Sequence, residues 1–261
     1  MTRRLKLTVA YDGTNYHGFQ WQDNALSIQQ VLEEGLAKLF GHEISLVPSG
    51  RTDTGVHAQG QVISFLTTGR IPVERIVQAA PSVLPPDIVV VQAEMAAPTF
   101  HARRDAVGKH YRYRILTRAA NDPFRERYVW QLREALDVDA MQAAAALVLG
   151  THDFDSFRTT GSTPTHPVRT MYVSAFCQCG DELVYDIVGD GFLYHMVRNL
   201  VGALVAVGRR KLTPACFAAL LAARSKDGAP AMAPARGLTL QRVFYCQEDL
   251  TQAVASRTII Q

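Results

Sequence analysis

The order of strand-like and helix-like segments is the feature that most constrains the fold of this chain of 261 residues. Residues 5–12 alternate between apolar and polar side chains, which is typical of a half-buried strand. Ser27 and Gln30 form an S-x-x-Q capping box ahead of apolar residues at helical spacing, and Gly41 ends that predicted helix. The other predicted elements of this half are strands at 44–48, 59–67 and 88–91 and a helix that begins at Pro72. The first half therefore has the order strand, helix, strand, strand, helix, strand.

The second half of the chain repeats this theme more loosely. Residues 109–117 alternate, so that the tyrosines fall on one face of a strand and the arginines on the other. The other predicted elements are helices at 138–149, 193–207 and 214–223 and strands at 168–178, 182–188 and 239–245. Two βαββαβ-like halves predict an α+β fold of two ferredoxin-like, RRM-like halves, which form a mostly antiparallel sheet with helices on one face. We place the N-terminal half at residues 1–104 and the C-terminal half at residues 105–261.

The composition indicates a folded chain, and its cysteines are typical of a protein in a reducing compartment. Hydrophobic residues make up 48% of the chain and charged residues 20%, which is enough apolar surface to bury a core. No apolar run reaches the roughly 18 residues that a membrane-spanning helix needs, and the apolar stretch near the start is too short for a signal peptide. The four cysteines lack the paired spacing of a zinc site. We therefore expect a cytoplasmic protein without disulfides or a structural metal.

Positive charge is concentrated in one segment of the chain. The formal net charge is only +3, which by itself does not indicate a nucleic-acid partner. The segment between His101 and Arg118, however, contains a single acid, Asp105, and the following basic residues: Arg103, Arg104, Lys109, Arg112, Arg114 and Arg118. Such a segment can neutralise phosphates, or it can form a solvated basic face. Charge alone leaves both interpretations open.

A polar loop, Gly50-Arg51-Thr52-Asp53-Thr54-Gly55-Val56-His57, lies between two predicted strands of the first half. Its glycines allow a sharp turn and a close approach of another backbone. The simplest interpretation is a polar turn with the Asp53 side chain as its cap. Asp53-Thr54-Gly55 is also the aspartic-protease tripeptide, but that chemistry needs two carboxylates that share one proton. One copy per chain disfavours the protease, and Arg51 disfavours it further because a guanidinium favours the ionised carboxylate.

The whole octapeptide resembles the active-site loop of the tRNA pseudouridine synthase A family. Further stretches match motifs of that family in the same order over about residues 5–245. They are Tyr11-Asp12-Gly13-Thr14-Asn15-Tyr16-His17-Gly18-Phe19-Gln20, Phe100-His101-Ala102-Arg103, Tyr111-Arg112-Tyr113, Asp153-Phe154-Asp155-Ser156-Phe157-Arg158, Phe192-Leu193-Tyr194-His195-Met196-Val197-Arg198-Asn199 and Gly237-Leu238. The resemblance implies an isomerase that converts uridine to pseudouridine at positions 38, 39 and 40 in the anticodon stem and loop of tRNAs, without a cofactor or a metal.

The resemblance also implies roles for individual residues. Asp53 matches the catalytic carboxylate, and the sequence leaves open whether it attacks C1′, adds to uracil C6 or takes a sugar proton. Tyr111 matches the substrate-binding tyrosine, whose ring can stack on a uracil drawn out of the helix. Arg198 matches the arginine that pairs with the carboxylate, and Leu238 matches an apolar residue of the uracil pocket. These matches imply an active-site cleft between the two halves.

Contacts with tRNA are the next implication of the resemblance. Arg51 and Arg103 match positions that contact RNA in the family, and His101 belongs to the same matching segment as Arg103. Arg104 is added on its charge alone. We therefore predict these four residues as tRNA-binding, with Asp53, Tyr111, Arg198 and Leu238 as the catalytic and substrate-binding set.

One loop departs from the family pattern. Residues 159–167 carry no arginine before their Thr-Pro, where relatives often have one, so that His166 or Arg169 would have to supply the phosphate contact. The expected partners are tRNA and, by resemblance, a second copy of the chain in a homodimer. The alternative from another functional class is a catalytically silent protein that binds or folds tRNA on the same scaffold. The combination of Asp53, Tyr111 and Arg198 favours the enzyme, because binding alone needs none of them.

Overall fold

The computed structural model describes residues 2–159, 166–225 and 228–256. Its contacts divide the chain into two compact units, which we call unit 1 (Met1–Ala106 with Thr239–Tyr245) and unit 2 (Val107–Leu238 with Cys246–Gln261). Both units combine helices with strands that pair mostly antiparallel, which confirms the α+β class. The arrangement as two ferredoxin-like halves stays a prediction. In this division residues 239–245 return to unit 1, whereas the sequence placed them with the second half.

Strands and helices alternate irregularly along the described residues. In chain order they are β1 (Arg3–Tyr11), α1 (Ile28–Phe40), β2 (Val47–Pro48), β3 (His57–Thr67), α2 (Val73–Ala79), β4 (Ile88–Ala96), β5 (Gly108–Leu116), β6 (Trp130–Gln131), α3 (Val138–Ala146), β7 (Gly150–Asp153), β8 (Val168–Cys179), β9 (Glu182–Gly189), α4 (Met196–Gly208), α5 (Pro214–Ala223), β10 (Leu238–Phe244) and α6 (Gln247–Ala255). Single 3-10 turns occur at Ala80–Ser82, Asp155–Phe157 and Ala235–Gly237.

The sheet of unit 1 has β1 at its centre, with β4 on one side and β3 on the other. Both neighbours run antiparallel to β1, β2 pairs with β3, and β10 runs parallel to β3. Leu5, Leu7 and Val9 are fully buried along one face of β1, as its alternating pattern predicts. Tyr11 at the end of β1 pairs with Ala58 at the start of β3. The segment that follows β1 and the loop that precedes β3 therefore leave the sheet at the same end.

The limits of α1 confirm two local signals in the sequence. The Ser27 hydroxyl accepts a hydrogen bond from the Gln30 backbone N–H at 3.2 Å, so Ser27 is the N-cap. Gly41 takes a left-handed conformation with φ of 74° and closes the helix on the Ala37 carbonyl. The Gln30 side chain, however, donates to Glu34 instead of reaching back, so only half of the capping box forms.

The sheet of unit 2 has the strand order β5-β9-β8-β7, and the short β6 lies parallel to β5. Gly180, with φ of 62°, turns the chain between β8 and β9, which correspond to the strands predicted at 168–178 and 182–188 and form a hairpin. Helix α4 is buried along nearly its whole length and contacts α3 and α5. It has 13 residues, and among the described residues no helix is long and apolar enough to cross a membrane.

Several elements differ from the sequence-based expectations because tertiary contacts override the local pattern. The predicted strand at 44–48 shrinks to β2, since the Glu33 carboxylate of α1 accepts the Leu46 N–H at 3.0 Å in place of a strand partner. The predicted strand at 88–91 extends to Ala96 because β4 follows β1 along its length. The helix predicted at 138–149 ends at Ala146, and Gly150 beyond it begins β7, for which the sequence predicted no strand. The sequence did not predict β6 or α6.

The N-cap of α5 offers a test of these local rules. The exposed Thr213 accepts the Cys216 N–H at 3.1 Å, so Thr213→Ala should lower the free energy of unfolding by about 1 kcal/mol. Thr213→Ser keeps the accepting hydroxyl and is the matched control. Urea unfolding of the three proteins measures the effect, and equal stability of the alanine and serine variants would contradict the capping role.

Candidate active site

Asp53 lies in a tight turn between β2 and β3. The Val56 N–H donates to the Asp53 carbonyl at 3.1 Å, and Gly55 takes φ of 75° to close the turn. Thr52 and Val56 are buried on either side, whereas Asp53 is half-buried and Arg51 is exposed. The turn is thus anchored by its neighbours, while Asp53 itself stays partly exposed.

The segment after β1 clamps this turn from one side. The Phe19 N–H donates to the Thr52 carbonyl at 3.0 Å, and the Gly55 N–H donates to the Tyr16 carbonyl at 3.4 Å. Gly18 has φ of 86°, and a Cβ atom there would lie 2.9 Å from the Thr52 carbonyl oxygen. The motif that begins at Tyr11 therefore has a clear structural purpose, which is to fix the position of the Asp53 turn.

A second close approach occurs at Gly13, where a Cβ atom would lie 2.1 Å from the Val56 carbonyl oxygen. The Gly13 backbone nitrogen lies 3.1 Å from Nδ1 of the buried His57. An Asp12 carboxylate oxygen lies 3.1 Å from the same nitrogen and accepts from Thr14. His57 thus joins the start of β3 to the segment after β1.

The predicted tRNA contacts of unit 1 lie on two exposed segments. Arg51 shares the turn with Asp53, while Arg103 and Arg104 are exposed in the loop between β4 and β5. Nδ1 of His101 accepts the backbone N–H groups of Arg103 at 3.2 Å and Arg104 at 3.3 Å. The Ala102 carbonyl accepts the Tyr245 hydroxyl at 2.6 Å. His101 therefore shapes the loop that carries the two arginines, which is a role that the sequence did not reveal.

In unit 2, Tyr111 lies on β5 and is 7% exposed. Its ring meets Phe192 edge to face, with the ring centroids 5.0 Å apart. Phe192 belongs to the segment that leads into α4, and His195 at the start of that helix has a left-handed φ of 61°. The helix predicted at 193–207 begins three residues later, at Met196, and His195 is its N-cap.

Arg198 and Leu238 lie near the two ends of one anchored segment, residues 233–238. Nε of Arg198 donates to the Ala233 carbonyl at 2.9 Å, and the Ala233 N–H donates to the Arg198 carbonyl at 3.1 Å. Further along, the Tyr113 hydroxyl donates to the Pro234 carbonyl at 2.7 Å. Burial raises the pKa of Tyr113 well above its ordinary value, so the hydroxyl keeps the proton that it donates. Leu238 is 5% exposed at the start of β10.

The arginines of β5 are paired with acids, which favours the structural interpretation of their charge. Arg112 contacts Asp186 through two hydrogen bonds of 2.9 and 3.0 Å, and Arg114 contacts Glu182 through two of 2.6 and 2.9 Å. Arg118 lies 3.4 Å from Asp122 and 3.5 Å from Asp181. Charge in the segment between His101 and Arg118 therefore overstates the number of cations available to phosphates.

The loop that departs from the family pattern is only partly described. Residues 160–165, on which the prediction about its phosphate contact rests, lie outside the described residues. Of the two suggested substitutes, His166 is exposed. Arg169 donates through Nη1 to the carbonyls of His166 and Val168, both at 2.6 Å, so its guanidinium is bonded to the backbone beside it.

Comparison with known proteins decides which family this geometry represents. A family model described as tRNA pseudouridine synthase matches residues 7–104 and 144–246. This chain belongs to that family. It is 51% identical over 243 residues to a tRNA pseudouridine synthase A of Moorella thermoacetica, with 92% of this chain and 99% of the relative covered. It is also 45% identical over 247 residues to a tRNA pseudouridine synthase A of an Exiguobacterium species, with 95% and 100% covered.

As a pseudouridine synthase family member, the chain distributes its predicted residues over two local sites. Unit 1 brings Asp53 and Arg51 together in one turn, and unit 2 brings Arg198 and Leu238 together through the segment 233–238. The sequence missed the residues that hold the Asp53 turn, above all His57 and also Gln61, whose amide donates to the Gly50 carbonyl at 2.9 Å. The only sequence signal for His57 was its place at the end of the octapeptide, and Gln61 carried none beyond its position in a predicted strand.

Two glycines with positive φ test whether the clamp fixes the Asp53 turn. Gly41→Ala places a side chain in open space and should cost about 1–2 kcal/mol of unfolding free energy from backbone strain alone. Gly18→Ala adds the overlap with Thr52 to that strain, so it should destabilise more and also lower pseudouridine formation. Urea unfolding and a turnover assay on both variants make the comparison. The clamp is refuted if the activity of Gly18→Ala equals that of Gly41→Ala.

Proposed function

We propose that this protein converts uridine to pseudouridine at positions 38, 39 and 40 in the anticodon stem and loop of tRNA, with Asp53 as its catalytic carboxylate. The observation that carries the proposal is the turn at Asp53, in which anchored, buried neighbours flank the half-buried Asp53. The segment after β1 packs closely against this turn at Gly13 and Gly18, where any side chain would overlap the turn's backbone. Such construction suits a group whose position matters, because a simple polar surface turn needs no clamp.

The proposed reaction is an isomerisation, so it needs no atom from outside beyond water-exchangeable protons. The bond between uracil N1 and C1′ breaks, the detached uracil rotates, and a bond between C5 and C1′ forms. C5 then loses its hydrogen and N1 gains one. An ionised Asp53 can serve this sequence as a nucleophile or as a base, and both roles require it within contact distance of the sugar or the base.

We further propose that unit 2 binds the uridine through Tyr111, Arg198 and Leu238. The Tyr111 ring is held edge to face against Phe192, so it offers a preset surface to a flipped base. Arg198 is oriented by its Nε bond to Ala233, which suits an arginine that pairs with a carboxylate. Leu238 supplies apolar surface at the start of β10. We also propose a homodimer, on the family resemblance, and sedimentation of the protein at several concentrations tests it.

Tritium release from tRNA labelled at uridine C5 tests the role of Asp53, because the C5 hydrogen must leave in every version of the mechanism. Asp53→Ala should lower the release rate by at least about 100-fold while tRNA binding persists. Asp139→Ala, which removes an exposed carboxylate in the first turn of α3, is the control and should keep its activity. Full activity in Asp53→Ala would sink the assignment.

The catalytically silent alternative makes a different prediction in the same assay. A protein that only binds or folds tRNA would release no tritium even without a substitution. Binding of tRNA should persist without Asp53 under both functions, so it serves only to show that the protein is folded. Tritium release by the unsubstituted protein therefore separates the two functions.

The loop that carries Arg103 offers a test of the tRNA contacts. Arg103→Ala removes an exposed cation, so it should weaken the binding of all tRNAs regardless of their base sequence. The slope of log Kd against log salt concentration should fall in magnitude by about 1. Arg114→Ala is the matched control, because Arg114 is already paired with Glu182 and should leave the slope unchanged. Filter binding over a salt series measures both, and identical slopes for the two variants would contradict the proposed contact.

A further inference from the structure

A buried polar network lies next to the turn that carries Asp53. Gln61 on β3 is its centre and is completely buried. Its amide donates to the Gly50 carbonyl at 2.9 Å and to the Tyr11 hydroxyl at 3.4 Å. Its carbonyl accepts the Ser49 hydroxyl at 2.7 Å and the Val62 N–H at 3.1 Å. Every hydrogen-bonding position of the amide is therefore used.

The orientation of this amide is fixed by chemistry as well as by packing. If the Gln61 amide were turned over, its NH₂ group would face the backbone N–H of Val62, which can only donate. The Gly50 carbonyl would then face another oxygen. Only one orientation satisfies both backbone groups, so the amide links the start of the Asp53 turn to β3 in a single arrangement.

Tyr11 extends the network to the residue next to Asp53. Its hydroxyl accepts from Gln61 and lies 2.8 Å from the Thr52 hydroxyl, a pair in which either oxygen can donate. Burial raises the pKa of Tyr11 to about 12, so its hydroxyl stays protonated at neutral pH. Tyr11 and Thr52 are both buried, so their hydroxyls depend on these contacts for hydrogen bonding.

We propose that Tyr11 and Gln61 are positioning residues for catalysis, which hold Gly50 and Thr52 so that Asp53 meets the uridine at its reactive distance. Of the four hydrogen bonds of the Gln61 amide, one goes to its neighbour Val62 in β3. The other three go to Tyr11 of β1 and to Ser49 and Gly50, which directly precede the Asp53 turn. The network thus connects β1 and β3 to the turn through Tyr11 and Gln61. The close approach at Gly13 and Gly18 restrains the turn separately. This inference rests on the proposed role of Asp53.

The test compares two buried tyrosines with the same kind of hydrogen bond. Tyr11→Phe removes the hydroxyl beside Thr52, and Tyr185→Phe removes a hydroxyl 2.7 Å from the buried Ser174 hydroxyl in unit 2. Both changes should lower the thermal unfolding midpoint, and Tyr11→Phe at least as much as Tyr185→Phe, because it removes a partner from both Thr52 and Gln61, whereas Ser174 keeps its bond to the Ala145 carbonyl. Only Tyr11→Phe should lower kcat for tritium release, by about 10- to 100-fold, with KM for tRNA within about twofold of the unsubstituted enzyme.

A second set of variants tests the link through Thr52. Thr52→Val keeps the shape but loses the hydroxyl, and it should lower kcat as Tyr11→Phe does. The double variant Tyr11→Phe/Thr52→Val should be no slower than the worse single variant, because both remove one interaction. Thr52→Ser retains the hydroxyl and should therefore exceed Thr52→Val in kcat.

The inference is overturned by an unchanged kcat in Tyr11→Phe, by equal losses of kcat in Tyr11→Phe and Tyr185→Phe, or by a rise in KM without a change in kcat. Its failure is distinct from that of the proposed function. If Asp53→Ala is inactive while Tyr11→Phe is fully active, Asp53 remains the catalytic residue and the positioning role is lost. If Asp53→Ala is fully active, the proposed function itself fails.

Discussion

The close approach between the segment after β1 and the turn at Asp53 is the constraint on which the rest of the candidate site depends. Any side chain at Gly13 would overlap the Val56 carbonyl, and one at Gly18 would crowd the Thr52 carbonyl. The hydrogen bond from the Phe19 N–H to the Thr52 carbonyl can form only because the two segments approach each other this closely. Glycine carries a larger loss of backbone entropy on folding than other residues, which is a cost that a fixed carboxylate position justifies.

A turn of this length has too few internal bonds to hold its own shape, so its rigidity must come from neighbours. The hydrogen bond between the Val56 N–H and the Asp53 carbonyl closes the turn, and further restraints come from the segment after β1 and from Gln61. A buried polar group without a partner costs about 1–3 kcal/mol, so each such contact disfavours states in which the turn has moved away. The buried polar groups next to Asp53 thus hold the turn in one position, because only that position satisfies their hydrogen bonds.

Features set by residues close in sequence could be predicted, and those set by distant contacts could not. Ser27 and Gly41 define α1, and Gly180 defines a hairpin, because caps and turns depend on a few adjacent residues. The strand expected at 44–48 was mostly lost to a carboxylate from α1, which no local pattern contains. In the same way, the octapeptide indicated where Asp53 lies, but the partners of Gln61 lie up to 50 positions away in sequence. Their meeting follows from the pairing of β1 with β3.

The availability of the arginines for phosphate binding was also beyond prediction from local sequence. Arg103 and Arg114 look alike in sequence, since both belong to one basic segment. Their difference arises from acids more than 60 positions away, because β9 carries Glu182 alongside Arg114 whereas the loop of Arg103 projects into solvent. A bidentate ion pair already satisfies the guanidinium, so a phosphate would have to displace the carboxylate to bind there. Which arginines of this segment can attract a polyanion is therefore decided by strand pairing, and the number of positive charges along the chain is only an upper bound.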